Sequence, residues 1–343
     1  MTFQIVWFIL WGLLWAVYFM LDGFDLGAGI LYRFLGRDEA EKSAIRKAIG
    51  PVWDGNEVWL LTAGGATFAA FPSAYASMFS FLYSALLIIL FALILRGVAL
   101  EFRAKGTSAA WGRISDIALF LGSFLPALLF GVAFGNIFRG LPIDSQGYHG
   151  TLLGLLNPYC LWTGIFFVLL FMVHGALWLA LKTTGKLEER ALRCAQKVWY
   201  LELAAAVIFL IWTVLSTKLE ENYLRYPYWL VVPLLAVASL VFIGIWAVQK
   251  KTGAAFFASC ASIVLVTFTA IIGLYPNLIP SRLDPASSLT AFNSSSSPYT
   301  LKIMTIVAVV FLPIVIGYQV WVYRVFRNKL EPGESPSEGA IPY

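Results

Sequence analysis

The sequence predicts an all-α, polytopic membrane protein. Of its 343 residues, 60% are hydrophobic and 13% are charged, whereas about 25% of a typical soluble domain is charged. The apolar residues are gathered in long runs, and about 20 such residues cross the hydrocarbon core as one helix. Within lipid only helices and closed barrels satisfy the backbone, so runs of this length indicate helices.

Nine apolar runs predict nine transmembrane helices. The second and third are separated only by residues 71–73, and we count them separately because merging them places basic loops on conflicting sides of the membrane. The chain is expected to form a single transmembrane domain, 1–329, followed by a disordered tail, 330–343, that contains Pro and Gly. The predicted spans are 3–32, 52–71, 74–102, 114–137, 154–181, 197–217, 228–249, 254–275 and 299–323.

The basic residues predict the orientation of these spans. If the N-terminus is outside, the inner loops and the C-terminal tail carry 18 of the 24 Lys and Arg residues, and the outer loops carry five. The positive-inside rule therefore predicts an N-terminus outside and a C-terminus in the cytoplasm. The net charge of +5 then reflects membrane topology, and it does not indicate a nucleic-acid partner.

Asp22, Asp25 and Arg96 are charged residues that lie several turns inside predicted spans. Asp22 and Asp25 are three residues apart on the first span, so they share one helix face, together with small residues on which another helix can pack closely. By helical rise, Asp25 and Arg96 lie at similar depths, roughly 10 Å and 9 Å inside the inner ends of their spans. We predict a buried ion pair between Arg96 and Asp22 or Asp25. Alternatively, Arg96 extends to the inner surface, or the two aspartates take part in ion or proton movement.

A second acidic pair begins the second span. Asp54 and Glu57 follow Pro51 and lie one turn apart on one helix face, leading inward toward Thr62. Acidic residues in a first helical turn complement the helix dipole, which is one explanation for Asp54. The alternative is a pair of carboxylates that collect protons at the cytoplasmic mouth and pass them inward.

The chain carries few residues that bind metals. Its three cysteines lie far apart, and His174 near the inner end of the fifth span is expected to be a packed or hydrogen-bonded residue. No metal or haem site is therefore predicted in this chain. The outer segment 277–298 is either a solvated linker or a cap over a partner or site.

Five motifs resemble subunit II of the cytochrome bd quinol oxidases, and they occur in the same order over essentially the whole chain. They are Asp22-Gly-Phe-Asp-Leu-Gly, Trp53-Asp-Gly-Asn-Glu-Val-Trp-Leu, Thr62-Ala-Gly-Gly-Ala-Thr-Phe-Ala-Ala-Phe-Pro, Gly131-Val-Ala-Phe-Gly-Asn and Leu155-Leu-Asn-Pro-Tyr.

This resemblance implies a fold of nine transmembrane helices, arranged as two four-helix bundles plus one peripheral helix. It implies a haem-bearing partner, subunit I, which holds two haems b and one haem d, and a complex in the bacterial or archaeal cytoplasmic membrane. The complex would oxidise quinol and reduce O2 to water with cytoplasmic protons. A structural quinone, a small single-helix subunit and membrane lipid are further expected partners, and no cofactor is expected to be ligated by this chain.

The resemblance also bears on the site residues. Asp54 matches an aspartate of subunit II that is proposed to feed a proton path toward subunit I, with Glu57 one turn further along. Asp22 and Asp25 match carboxylates of the family's first helix, and no catalytic residue is expected in this chain. A secondary transporter that uses Asp22 and Asp25 as a cation site is the alternative function.

Overall fold

The computed structural model describes residues 1–333, and these form an almost entirely helical protein. Only residues 330–333 of the predicted tail, 330–343, are described, and the rest of the tail lies outside the described residues. The helices are α1 Thr2–Leu35, α2 Glu39–Ile49, α3 Trp53–Ala70, α4 Pro72–Phe81, α5 Tyr83–Phe102, α6 Ala109–Arg139, α7 Leu152–Leu155, α8 Pro158–Lys182, α9 Gly185–Ser216, α10 Glu220–Arg225, α11 Val231–Val248, α12 Thr252–Leu274 and α13 Pro298–Val325. Two antiparallel two-stranded sheets are formed by β1 Ile143–Asp144 with β2 Gly147–Tyr148, and by β3 Asn277–Ile279 with β4 Leu289–Thr290.

Eight helices within residues 1–333 are long and apolar enough to cross a membrane, namely α1, α5, α6, α8, α9, α11, α12 and α13. The predicted all-α, multi-pass architecture is therefore confirmed. The predicted second span corresponds to α3, which is not among the eight because Asp54, Asn56 and Glu57 make its first turns polar. The predicted third span is divided at Leu82 into α4 and α5. The count of nine spans stays a prediction.

Helix α1 lies at the centre of the molecule and packs against α3, α6, α8 and α12. Its crossing with α8 is close because both helices carry glycine there: a Cβ added to Gly27 would lie 1.8 Å from the backbone oxygen of Phe171, and one on Gly175 would lie 2.4 Å from the nitrogen of Ala28. The predicted close helix packing at the small residues of α1 is confirmed.

The segment between α12 and α13 covers the end of the bundle opposite to α2. Ser296 donates from its backbone nitrogen to the oxygen of Ala70 at 2.8 Å and from its hydroxyl to the oxygen of Ala69 at 2.6 Å. Gln4 donates to the Ser295 hydroxyl at 2.7 Å. The last carbonyls of a helix need such partners, so this segment caps helix ends of its own chain rather than forming a free linker.

Helix α13 lies on the periphery of the bundle, and Leu301 is its only buried residue. Near its start it is held by Trp7, whose indole nitrogen donates to the oxygen of Leu301 at 3.1 Å and to the hydroxyl of Thr305 at 3.0 Å. Beyond its last turn, Lys182 donates to the backbone oxygens of Phe326 and Asn328. The helix is thus attached at both ends and lies against α1 and α3.

The short helix α2 is fixed by ion pairs at one end of the molecule, which we call the α2 end. Arg190 on α9 lies 2.5 Å from the Glu41 carboxylate, and the backbone nitrogen of Arg37 donates to the same oxygen at 2.9 Å. Burial favours the neutral acid, but these hydrogen bonds outweigh it and lower the pKa of Glu41 below its usual value. Lys42 reaches Asp116 on α6 at 2.7 Å. Because α3 follows α2 after only three residues, these contacts also position the start of α3.

Candidate functional site

Arg96 is the centre of a buried charged cluster near the α2 end. Its side chain is 1% exposed, and its two terminal nitrogens each lie 2.8 Å from a carboxylate, one from Asp22 on α1 and one from Glu57 on α3. A planar guanidinium can donate to two acids at once, which suits this position. The predicted contact between Arg96 and Asp22 is present. Sequence reasoning did not predict Glu57 as its second partner, although Glu57 begins a span at a depth near that of Arg96.

Asp25 is held by an amide instead of Arg96. The Asn56 amide nitrogen donates to the Asp25 carboxylate at 2.7 Å and to the backbone oxygen of Leu21 at 3.3 Å. Both Asn56 and Asp25 are fully buried. Asn56 was not predicted from the sequence, where the available signal was a polar amide inside the first turns of an apolar span. The cluster therefore contains two linked halves, one centred on Arg96 and one on Asn56.

Helix α13 completes the Asn56 half of the cluster. The oxygen of the Asn56 amide accepts from Gln319 at 2.9 Å and from the Tyr323 hydroxyl at 2.8 Å. The Gln319 oxygen in turn accepts from the Trp59 indole nitrogen at 2.7 Å. Sequence reasoning also missed Gln319 and Tyr323, and the available signal was an amide in the otherwise apolar run 299–323.

Asp54 is exposed and lies where two clefts meet. One cleft, of about 670 Å³, runs between the start of α3 and α13, and its lining includes Asn56, Gln319 and Tyr323. The other, of about 220 Å³, runs between α3 and α5 and reaches Glu57. Asp54 lines both. The sequence predicted that Asp54 and Glu57 lie along one route, and the structure brings them to the same cleft.

Asp54 lies in the first turn of α3 and makes no ion pair within the described residues. Helix α3 begins after Val52 with no side-chain cap, and Asp54 is the acidic residue of its first turn. Within residues 1–333, Asp54 has no ion-pair partner at 4 Å or less. Its carboxylate thus remains available to solvent in the two clefts, and its favourable interaction with the helix dipole is additional.

The histidines are engaged elsewhere. His174 is fully buried, and its ring nitrogens lie 2.6 Å from the Ser259 hydroxyl and 2.8 Å from the backbone oxygen of Met20. His149 contacts Asp144 at 2.8 Å in the β1–β2 segment, and this hydrogen bond lowers the pKa of the Asp144 carboxyl. Residues 1–333 contain no group of three or more His, Cys, Asp or Glu side chains that could hold a metal ion.

The fold and the cluster define a multi-pass helical membrane protein with a charged network that opens at the α2 end. The chain belongs to the cytochrome bd terminal oxidase subunit II family, whose model matches residues 3–326. It is 39% identical to the cytochrome bd ubiquinol oxidase subunit 2 of Bacillus subtilis over 96% of this chain and 97% of that protein. It is 34% identical to the cytochrome bd-I ubiquinol oxidase subunit 2 of Escherichia coli K12, with 96% of each chain covered.

A solved chain of the bd oxidase from Geobacillus thermodenitrificans has the same fold, with a TM-score of 0.77, 18% sequence identity, and coverage of 95% of this chain and 99% of that chain. The family resemblance seen in the sequence motifs is therefore confirmed. Family membership places the chain in a haem-containing oxidase complex with a partner subunit I, and the transporter alternative is not favoured. The apolar helices and the bacterial relatives indicate a multi-pass protein of the bacterial inner membrane.

Proposed function

We propose that this chain supports the haem-bearing subunit I of a quinol:dioxygen oxidoreductase and admits cytoplasmic protons to it through Asp54. In this proposal subunit I holds two haems b and one haem d, and the complex reduces O2 to water with electrons from quinol. The chain would contribute nine spans in two four-helix bundles, with α13 as the peripheral helix, the N-terminus outside and the C-terminus in the cytoplasm.

The observation that carries the proposal is the position of Asp54 at the junction of two clefts. Through the smaller cleft it faces Glu57, which contacts Arg96 and hence Asp22. Through the larger cleft it faces Asn56, which holds Asp25. Clefts of these volumes whose lining includes carboxylates and amides can hold water, and water can carry a proton from one carboxylate to the next. An exposed carboxylate that leads to two buried ones fits proton entry.

The charge distribution supports an entrance on the cytoplasmic side. The loops at the α2 end carry the larger share of the basic residues, including Arg33, Arg37 and Lys47, which precede Asp54 in the sequence. By the positive-inside rule this end faces the cytoplasm. A carboxylate at this end can therefore take protons from the cytoplasm, as O2 reduction requires.

Two local features bear on the cofactors of the complex, whose haems we assign to subunit I. Both ring nitrogens of His174 are engaged in hydrogen bonds to groups of this chain. The apolar cavity between α1, α6, α8 and α12 measures about 20 Å³, and a quinone ring does not fit it. Exposed apolar faces of α9 and α11 suit lipid or a small single-helix subunit.

The substitution Asp54→Asn tests proton entry against a purely structural role of this chain. We expect turnover of the intact, haem-loaded complex to fall about tenfold or more, because proton transfer by a positioned group typically contributes at least that factor. Glu189→Gln is the matched control, since Glu189 is an exposed acid whose partner is Arg193 at 3.4 Å and which lines neither cleft. Normal turnover of the Asp54→Asn complex at normal haem content would refute proton entry through Asp54.

A further inference from the structure

We propose that Gln319 and Tyr323 of the peripheral helix α13 are positioning residues for the proton path, because they fix the Asn56 amide that holds the Asp25 carboxylate. This inference rests on the proposed function, since it assigns a role to α13 in the same site. Helix α13 then orients a side chain of the site in addition to packing at the edge of the bundle.

The orientation of the Asn56 amide is determined by its partners. Its nitrogen donates to an oxygen of the Asp25 carboxyl and to the backbone carbonyl of Leu21, and that carbonyl can only accept. Its oxygen faces the amide nitrogen of Gln319 and the hydroxyl of Tyr323. Gln319 is itself oriented, because its oxygen accepts from the Trp59 indole nitrogen, which can only donate. The two α13 side chains therefore hold Asn56 with its donor toward Asp25.

This arrangement lies on the route from Asp54. Gln319, Tyr323 and Asn56 all line the larger cleft that Asp54 also lines. The Tyr323 ring packs against Trp178 on α8, with centroids 5.9 Å apart and planes at 84°, and lies 6.4 Å from the Phe24 ring. The hydroxyl is thereby presented to Asn56 by a ring that is fixed independently of the hydrogen bond. If the oxygen of Asn56 lost these donors, it would be left as a buried acceptor without its partners, and the amide would be held less firmly in place.

The hydrogen bond from the Asn56 nitrogen to Asp25 would then be weakened. The pH dependence of turnover reports the groups that take up and release the transferred protons, so a change at Asp25 alters it. The charged groups that act on Asp25 are Asp22 on α1, Glu57 on α3 and Arg96 on α5, and the variants below leave all three unchanged. Tyr323 also interacts electrostatically with Asp25, and Gln319→Leu leaves Tyr323 in place. A shifted pH dependence of turnover in both variants is thus the signature of the positioning role.

The test uses Tyr323→Phe and Gln319→Leu in the intact haem-loaded complex. Tyr323→Phe removes only the hydroxyl and keeps the ring packing, so a folding defect is avoided. We expect turnover at neutral pH to fall about threefold to tenfold, which corresponds to the loss of one buried hydrogen bond, and the pH profile to shift. Thr305→Val is the matched control, because it removes a hydrogen bond of α13 to Trp7 outside the cleft.

The outcomes separate this inference from the proposed function. If Asp54→Asn is slow while Tyr323→Phe and Gln319→Leu turn over normally, proton entry stands and the positioning role is refuted. If both α13 variants are slow with an unchanged pH profile, or if Thr305→Val is equally slow, α13 acts only through packing and the inference is likewise overturned. Normal turnover of Asp54→Asn would refute the proposed function itself.

Discussion

Replacement of Arg96 by Met tests whether the buried cluster is held by charge. Arg96 is 1% exposed and contacts Asp22, which is fully buried, and Glu57, whose side chain is 24% exposed. Met fills much of the same volume without charge, so the substitution leaves two carboxylates near each other with no cation between them. We expect the free energy of unfolding to fall.

The magnitude follows from the fate of Asp22. Removing one partner of a buried ion pair typically costs about 3–5 kcal/mol. A carboxyl can escape this cost by taking up a proton, at about 1.4 kcal/mol for each pH unit above its usual pKa near 4. At pH 7 the cost for Asp22 is therefore limited to about 4 kcal/mol. Glu57 adds less to the loss in free energy of unfolding, because its side chain reaches the smaller cleft, where water can solvate it.

Thermal unfolding of the purified complex, followed by loss of haem absorbance, measures this cost. At about 2 °C per kcal/mol for a chain of this size, we expect Arg96→Met to lower the midpoint by about 8 °C. The double variant Arg96→Met/Asp22→Asn removes the unpaired charge and should recover about half of that loss. Should the single variant yield no complex, recovery of haem-loaded complex in the double variant is the equivalent result. A double variant no more stable than Arg96→Met would refute the charge-pair explanation.

Two further predictions concern packing and pH. Gly27→Ala should prevent assembly of the complex, because the added methyl would overlap the backbone of Phe171. The control Gly64→Ala should assemble normally, because open space surrounds Gly64. Equal yields of haem-loaded complex from the two variants would contradict this explanation. Glu41→Gln should destabilise the chain by about 2 kcal/mol at pH 7, the value of a hydrogen bond to a charged group, when thermal midpoints are compared. Because the folded-state pKa of Glu41 is lowered by Arg190, this contribution is present above the usual glutamate pKa near 4.3 and is lost as pH falls through the lowered value. A wild-type advantage that persisted well below pH 4 would contradict the assignment.

Much of the site was predictable because burial of charge in an apolar segment is visible in the sequence. Asp22, Asp25 and Arg96 stand out within apolar runs, and their depths follow from the helical rise. The Arg96–Asp22 pair was predicted on that basis. Asp25, the other candidate partner, bonds to Asn56 instead, and the choice between two acids three residues apart depends on how α1 is rotated against α3 and α5.

Other elements were less accessible from the sequence. The division of the predicted third span at Leu82 leaves no mark in hydropathy, since both α4 and α5 are apolar. The cap formed by Ser295 and Ser296 depends on which helix ends lie beneath the outer segment. Gln319 and Tyr323 gain their role from partners more than 250 residues away in the chain, which local pattern does not identify.

The sequence by itself determined that this protein is a helical, multi-pass membrane protein, that Asp22, Asp25 and Arg96 lie within its apolar runs, and the family to which the chain belongs. Each of these follows from composition, run length and motifs, which are local properties. Only the tertiary structure decided that Glu57 shares Arg96 with Asp22, that Asn56 holds Asp25, and that Asp54 lies at the junction of two clefts. The physical reason is that hydrogen bonds and ion pairs depend on distances of about 3 Å, and those distances are fixed by helix rotation and packing across the whole chain.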